Sequence, residues 1–142
     1  MENEQNVLDE LNKGACMGRD AIYFIIDKVN DKEFAKVLMN QFKEYNKICK
    51  KINKLYPKYS DKEPHETSKM TQFMTWYGIE MRTFINQSNS KVAELLIKGT
   101  NMGIIEGRKL LNNKNVDNKV YSLLEEFIDM QQSEVEKLKC YL

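Results

Sequence analysis

Apolar residues recur every three or four positions along most of this chain, the spacing that places them on one face of an α-helix. The pattern predicts five helices, over residues 5–29, 32–56, 67–86, 91–112 and 118–141. Only about two residues connect the first two, so these helices must run antiparallel. Asp31, Ser90 and Asp117 are the predicted N-caps, and Pro57 closes the first hairpin.

The two terminal hairpins carry related sequences. Residues 11–18 read LNKGACMG and residues 96–103 read LIKGTNMG, with five identities at an offset of 85. At an offset of 86, Asp31 matches Asp117 and the apolar positions of the following helices also match. This internal repeat predicts a hairpin at 5–56 and another at 91–142, joined by a crossover at 57–90.

Two related helical hairpins joined by one long crossover are typical of a ferritin-like bundle. The predicted fold class is therefore all-α, a ferritin-like antiparallel four-helix bundle with an additional helix in the crossover between the two hairpins. We expect residues 1–142 to form a single helical-bundle domain.

Four of the six glycines fall inside the repeat, as the pairs Gly14/Gly99 and Gly18/Gly103. A glycine inside a helix costs roughly 1 kcal/mol relative to alanine, so these positions need a compensating gain. Close approach of the first and fourth helices is the favoured explanation, and a gap left for a ligand is the alternative.

Three stretches carry a resemblance to a known family: SNSKVAELLIKGTNMGIIEGRKLL (88–111), CMGRDAI (16–22) and the DKEF…Q…Y run (31–45). They look like an uncharacterised ferritin-like family of low-GC Gram-positive bacteria, over about residues 8–142. The resemblance implies the ferritin-like fold and no assigned activity.

The overall composition limits the classes of binding partner and the cellular compartment that we expect for this protein. Twenty-two basic and 21 acidic residues nearly cancel, which argues against a nucleic-acid or membrane-surface binder. No apolar run is long enough for a membrane span, and the MENEQN start is not typical of a signal peptide. Three cysteines without metal spacing indicate reduced thiols in a cytoplasmic protein.

The chain lacks the residues of a ferritin di-metal site. Such a site needs inward-facing carboxylates and two histidines, whereas His65 is the only histidine and lies in a loop. Glu106 and Glu134 are expected to face inward, but the repeat pairs them with apolar residues and their heights differ by roughly 15 Å. We therefore predict no metal and no cofactor.

Four polar residues interrupt the apolar faces and are candidates for a pocket or a polar core: Gln41, Tyr45, Glu106 and Glu134. Glu106 either anchors a ligand inside a pocket or lies at the edge of its face and reaches solvent, Arg108 or a lysine. Gln41 and Tyr45 form either a buried hydrogen bond that sets the helix register or part of a ligand site.

Trp76 and Ile79 lie away from the main apolar side of the crossover helix. A helix that is apolar on two sides is either sandwiched inside its own protein or covered by a partner. The second alternative predicts a homodimer through this helix.

No catalytic constellation is present, because no cysteine has a histidine at a helical spacing and no glycine-rich phosphate loop occurs. The favoured function is a non-catalytic structural or protein-interaction module without a metal site. The alternatives are a ferritin-type carboxylate metal-binding protein and a small-ligand binder with a pocket in the bundle around Tyr45, Gln41 and Glu106.

Overall fold

The computed structural model describes residues 2–62, 64, 72–84 and 88–142, apart from the side chains of 72–76. These residues form helices and connecting loops, with a short 3₁₀ turn, Tyr56–Lys58, after the second helix. The helices are α1 Glu2–Ile26, α2 Lys32–Leu55, α3 Gln72–Thr83, α4 Asn89–Asn113 and α5 Asn118–Lys139. The predicted helical residues 67–71 and 85–86 lie outside the described ones.

Short side chains set the starts of α2 and α4. Asp31 caps α2 as predicted, because its Oδ1 accepts a hydrogen bond from the Phe34 N–H at 3.0 Å. The predicted N-cap of α4, Ser90, is wrong by two residues. Ser88, and not Ser90, accepts the Lys91 N–H at 3.3 Å, so α4 begins before the predicted residue.

Asp117 precedes α5 as predicted, but its carboxylate does not cap the helix. Its Oδ2 instead accepts a hydrogen bond from the Tyr59 hydroxyl at 2.8 Å. A tertiary contact thus replaces the local one. The first helix also ends at Ile26, earlier than predicted, because the chain turns immediately after it.

The helices pack as two hairpins, α1 with α2 and α4 with α5, and α1 also contacts α4 while α2 contacts α5. Asn89 Nδ2 donates to Asp31 Oδ2 at 3.1 Å, so α2 and α4 start at the same end of the bundle. The Tyr56 hydroxyl donates to Asp9 Oδ1 at 2.7 Å and joins the end of α2 to the start of α1. The crossover must therefore span the length of the bundle.

The core lies between the facing apolar sides of the two hairpins. Its largest fully buried apolar side chains include Leu8, Leu11, Ile25, Phe34, Leu38, Ile52, Leu124, Ile128 and Leu138. Val7 and Val92, which the repeat pairs, are both fully buried. Within the described ranges, no helix has a stretch long and apolar enough to cross a bilayer.

The glycines of the repeat make room for side chains, which corrects the predicted reason for their presence. A Cβ on Gly18 would lie 2.4 Å from the Tyr45 ring of α2, and one on Gly103 would lie 2.2 Å from Gln131 Nε2 of α5. A Cβ on Gly99 would meet the Tyr77 ring of α3 at 2.5 Å. The nearest neighbours are thus large side chains of other helices, not the facing helix backbone.

We predict that Gly18→Ala destabilises the protein whereas Gly78→Ala does not. Overpacking against the rigid, buried Tyr45 ring costs about 1–3 kcal/mol, which outweighs the ~1 kcal/mol that alanine gains in a helix. A Cβ on Gly78 would meet no atom within 4 Å, so that variant should show the helix gain alone. Urea unfolding of both variants measures the difference, and equal shifts of the same sign would contradict the packing explanation.

Candidate ligand-binding site

A layer of polar side chains crosses the mainly apolar interior, in which Glu4 and Asn12 are also buried. Gln41, Tyr45 and Gln131 are each 2 % exposed, Glu134 is 1 % exposed and Thr100 is 8 % exposed. The pair on α2 and the pair on α5 each have a spacing of three or four residues, which places both members on the inner face of the helix. Buried polar groups of this kind require partners to offset the loss of hydration.

Tyr45 is the centre of this layer. The side chains of Gln131, Thr100 and Glu134 surround its hydroxyl, and its ring packs edge-on against Phe127 with centroids 6.2 Å apart. Complete burial raises the pKa of Tyr45 well above its ordinary value, and the nearby Glu134 carboxyl adds to the shift. The phenol is therefore neutral and acts as a structural hydrogen-bonding group.

Glu134 is a carboxyl group placed inside the core. Burial raises its pKa to about 8, and Glu44 adds to this effect, while Tyr45 and Lys137 oppose it. Neither carboxyl oxygen forms a hydrogen bond of normal geometry with the described residues. At neutral pH the group is mostly protonated, which removes the larger cost of burying a charge.

A small cavity of about 20 Å³ lies beside Tyr45, bordered by α1, α2, α3, α4 and α5. Its walls include Gln41, Tyr45, Tyr77 and Gln131. Gln41 Nε2 and Gln131 Oε1 have no hydrogen-bond partner among the described residues. The cavity thus combines one unused donor, one unused acceptor and room for about one water-sized group, which needs roughly 10–15 Å³.

A larger groove of about 530 Å³ runs between α1 and α4. Its apolar walls are formed by Leu11, Met17, Met102, Leu110, Leu124 and Phe127, together with Gly14, Gly103 and Gly107. Charged residues form its rim, where Lys13 pairs with Glu10 at 2.8 Å and Lys109 with Glu106 at 3.6 Å. Its volume lies within the range of small-molecule sites, about 300–1,000 Å³.

The structure separates the four predicted polar residues. Gln41, Tyr45 and Glu134 are buried together as expected. Glu106 does not face the interior: its side chain is 61 % exposed and lies near Lys109, which agrees with the second of its two predicted alternatives. It borders the groove and lies apart from Glu134, because its position falls at the edge of the apolar face of α4.

The predicted interface residues have different outcomes. Ile79 is 53 % exposed on α3, so it is available for contact with a partner. The side chain of Trp76 lies outside the described residues, as does His65. The homodimer therefore stays a prediction.

Sequence reasoning missed Thr100, Tyr77 and the groove itself. Thr100 and Tyr77 read as an ordinary helix residue and an ordinary core residue, because their roles depend on neighbours distant in sequence. The repeated glycines were the sequence feature that could have indicated the groove, because a gap left for a ligand was the alternative explanation of these residues. Gly14 and Gly103 do border open space as well as packed side chains.

The donor set of the described residues does not match a metal centre. No group of three or more histidine, cysteine, aspartate or glutamate side chains comes together there. Cys16 and Cys49 are buried, Cys140 is exposed, and none of the three forms a disulfide bond. The central layer is instead built from amide and hydroxyl groups and one protonated carboxyl.

Comparison with known proteins identifies the fold. No protein-family model and no curated protein matches the sequence. Among solved structures, CopM in the Cu(II)-bound form is similar, with a TM-score of 0.76 and 15% identity over 97% of this chain and 94% of that chain. The dodecameric thioferritin of Bacteroides fragilis, a bacterioferritin-related protein, has a TM-score of 0.71 and 9% identity over 97% and 84% of the two chains.

These similarities confirm the predicted fold class, an all-α, ferritin-like helical bundle. At such low sequence identity they show the architecture alone. The functional assignment must therefore come from the residues of this chain.

We predict that Glu134→Gln becomes progressively more stable than the parent protein as pH rises. Between the ordinary value of 4.5 and about 8, folded Glu134 keeps a proton that the unfolded chain releases. The free energy of unfolding of the parent therefore falls with rising pH across this window, by up to about 1.4 kcal/mol per pH unit. Urea unfolding at a series of pH values measures this slope.

The matched control is Glu136→Gln, on the same helix but with a side chain 70% exposed. Its unfolding free energy should follow that of the parent at every pH. A Glu134→Gln profile parallel to the parent's would show that this carboxyl is already ionised in the folded protein.

Proposed function

We propose that this protein is a non-catalytic, ferritin-like bundle that binds a small apolar ligand in the groove between α1 and α4. The observation that carries the proposal is the groove itself, about 530 Å³ in volume and walled mainly by apolar side chains. Small-molecule sites are typically concave, mostly apolar and preformed between helices of bundles. This proposal develops the small-ligand binder considered from the sequence, although only Glu106 of its three predicted residues, Gln41, Tyr45 and Glu106, borders the groove.

The groove is built from residue types that suit an apolar guest. Gly14, Gly103 and Gly107 border it without side chains, and Met17 and Met102 border it with flexible thioethers. Unbranched methionine side chains adapt to ligands of different shape. Phe127 supplies a flat aromatic wall, and a Cβ built on Gly14 would lie 3.4 Å from its ring.

Most of the charges on the rim are paired within the chain. Two of the three lysines that border the groove, Lys13 and Lys109, have carboxylate partners in Glu10 and Glu106, and Lys114 is the third. A charged ligand would have to compete with these pairs, which supports a neutral ligand. These pairs lie near solvent and contribute little to stability. They serve as a polar boundary around an apolar interior.

The absence of catalysis and of a metal site is part of the proposal. The central layer contains amide and hydroxyl side chains and a single carboxyl, Glu134, whereas a di-iron site needs several carboxylates and histidines. The ferritin-type metal alternative draws on the two similar structures, one described in a Cu(II)-bound form and the other as a thioferritin. Stoichiometric iron, manganese or copper in the purified full chain would favour that alternative instead.

We predict that Met102→Trp weakens binding of a neutral apolar dye, N-phenylnaphthylamine, about ten-fold, whereas Met39→Trp does not. Met102 borders the groove, and the larger indole would occupy the space of the ligand. Met39 is 43% exposed on α2 and does not border the groove, which makes it a matched control. Loss of about 55 Å² of apolar contact corresponds to about 1.4 kcal/mol, or about ten-fold in affinity.

Fluorescence titration of the dye gives the affinities. Equal binding by both tryptophan variants and the parent would place the dye elsewhere and remove support for the groove. Circular dichroism of each variant verifies that the bundle is intact.

We also propose that the protein forms a homodimer through α3. Ile79 is a large apolar side chain left 53% exposed on a helix that also packs inward through the buried Tyr77 and Met81. The similar thioferritin is described as a dodecamer, so self-association occurs in this fold. Cys16, Cys49 and Cys140 form no disulfide bond, which fits a reducing, cytoplasmic setting for such an assembly.

We predict that Ile79→Lys converts the dimer to a monomer, because an ammonium group would be buried without a partner at the interface. Ile105→Lys, at a residue that is 48% exposed on α4, serves as the control and should leave the dimer intact. Sedimentation velocity gives the mass of each variant. A parent protein that sediments as a monomer would overturn the dimer proposal.

A further inference from the structure

The groove and the internal cavity share part of their walls. Gly14, Met17 and Gly103 border both spaces. Two of these residues lack a side chain and the third is an unbranched, half-buried methionine that can change rotamer without moving the backbone. An elongated ligand in the groove would therefore have one end directly beside the polar layer.

We propose that the ligand is a neutral aliphatic alcohol, whose chain lies in the groove and whose hydroxyl enters the cavity between Gln41 and Gln131. This inference rests on the proposed binding function and adds the chemical class of the ligand. The groove alone does not specify this class of ligand, and the descriptions of the two similar structures do not mention it.

The hydrogen-bonding groups of the cavity define the head group. Gln41 Nε2 is an unused donor and Gln131 Oε1 an unused acceptor, on side chains that are each only 2% exposed. The side chains of Gln131, Thr100 and Glu134 already surround the Tyr45 hydroxyl. This hydroxyl is therefore not counted as an unused hydrogen-bonding group. A matching head group must accept one hydrogen bond and donate another.

Chemistry and size together select a hydroxyl. A carboxylate only accepts hydrogen bonds and an ammonium only donates them, and each would bury a charge. A primary amide has both functions but contains three heavy atoms. The cavity of about 20 Å³ has room for about one water-sized group, which a hydroxyl fills.

Burial makes this match selective. A buried donor or acceptor left without a partner is costly, so the site favours a guest that satisfies both glutamines over one that satisfies neither. An alkane of the same length would gain the apolar contacts of the groove and nothing from the cavity. The difference between the two guests therefore reports on the cavity alone.

The test compares hexanol and hexane as displacers of N-phenylnaphthylamine from the parent protein, Gln41→Leu, Gln131→Leu and Gln132→Leu. Gln132 is the exposed neighbour of Gln131 and provides the matched control. We expect Gln41→Leu and Gln131→Leu each to weaken hexanol binding about ten-fold, the effect of losing one buried hydrogen bond. Hexane binding should be unchanged in all variants, and Gln132→Leu should bind both guests as the parent does.

The outcomes separate the two proposals. If hexanol and hexane both displace the dye but neither interior leucine variant changes the affinity for hexanol, the head-group inference is overturned and the groove proposal stands. If neither guest displaces the dye and the dye is insensitive to Met102→Trp, both are overturned. Since Gln41 Nε2 has no partner to lose, Gln41→Leu keeps the test decisive even if Gln131→Leu unfolds.

Discussion

Four glycines on α1 and α4 leave space that side chains from three other helices enter, and this constraint shapes the interior of the bundle. Tyr45, Tyr77 and Gln131 approach Gly18, Gly99 and Gly103 so closely that a methyl group at any of these positions would collide with them. The helix stability lost at each glycine is offset by packing of a large aromatic ring or by placement of a buried amide. The groove borders Gly14, Gly103 and Gly107, where Phe127, Gln131 and Ile128 of α5 approach the glycines.

The polar layer depends on the same glycines. Gly18 allows the Tyr45 ring to reach the centre of the bundle, where its hydroxyl meets Gln131, Thr100 and Glu134. An apolar core of the same volume would be more stable, because each of these groups loses hydration when the protein folds. The layer thus lowers stability locally, beside the groove.

The candidate site was only partly visible in the sequence. Gln41, Tyr45 and Glu134 were recognisable as polar residues on the inner faces of helices, and all three are buried. Glu106 has a similar position in its own periodic pattern, yet it is exposed, since a residue at the edge of an apolar face turns inward or outward according to the crossing of the neighbouring helix. Asp117 shows the same limit, because a bond to the distant Tyr59 replaces the local cap that its position predicted.

Periodicity and loop length were sufficient to determine the all-helical fold class, the order of the helices and the pairing within each hairpin. These properties depend on residues close together in the chain, so local patterns encode them directly. The partner of each glycine, the burial of each carboxyl and the existence of a groove beside a polar cavity were decided only in the folded protein. They arise from distances between atoms of helices far apart in sequence, which no spacing along a single helix contains.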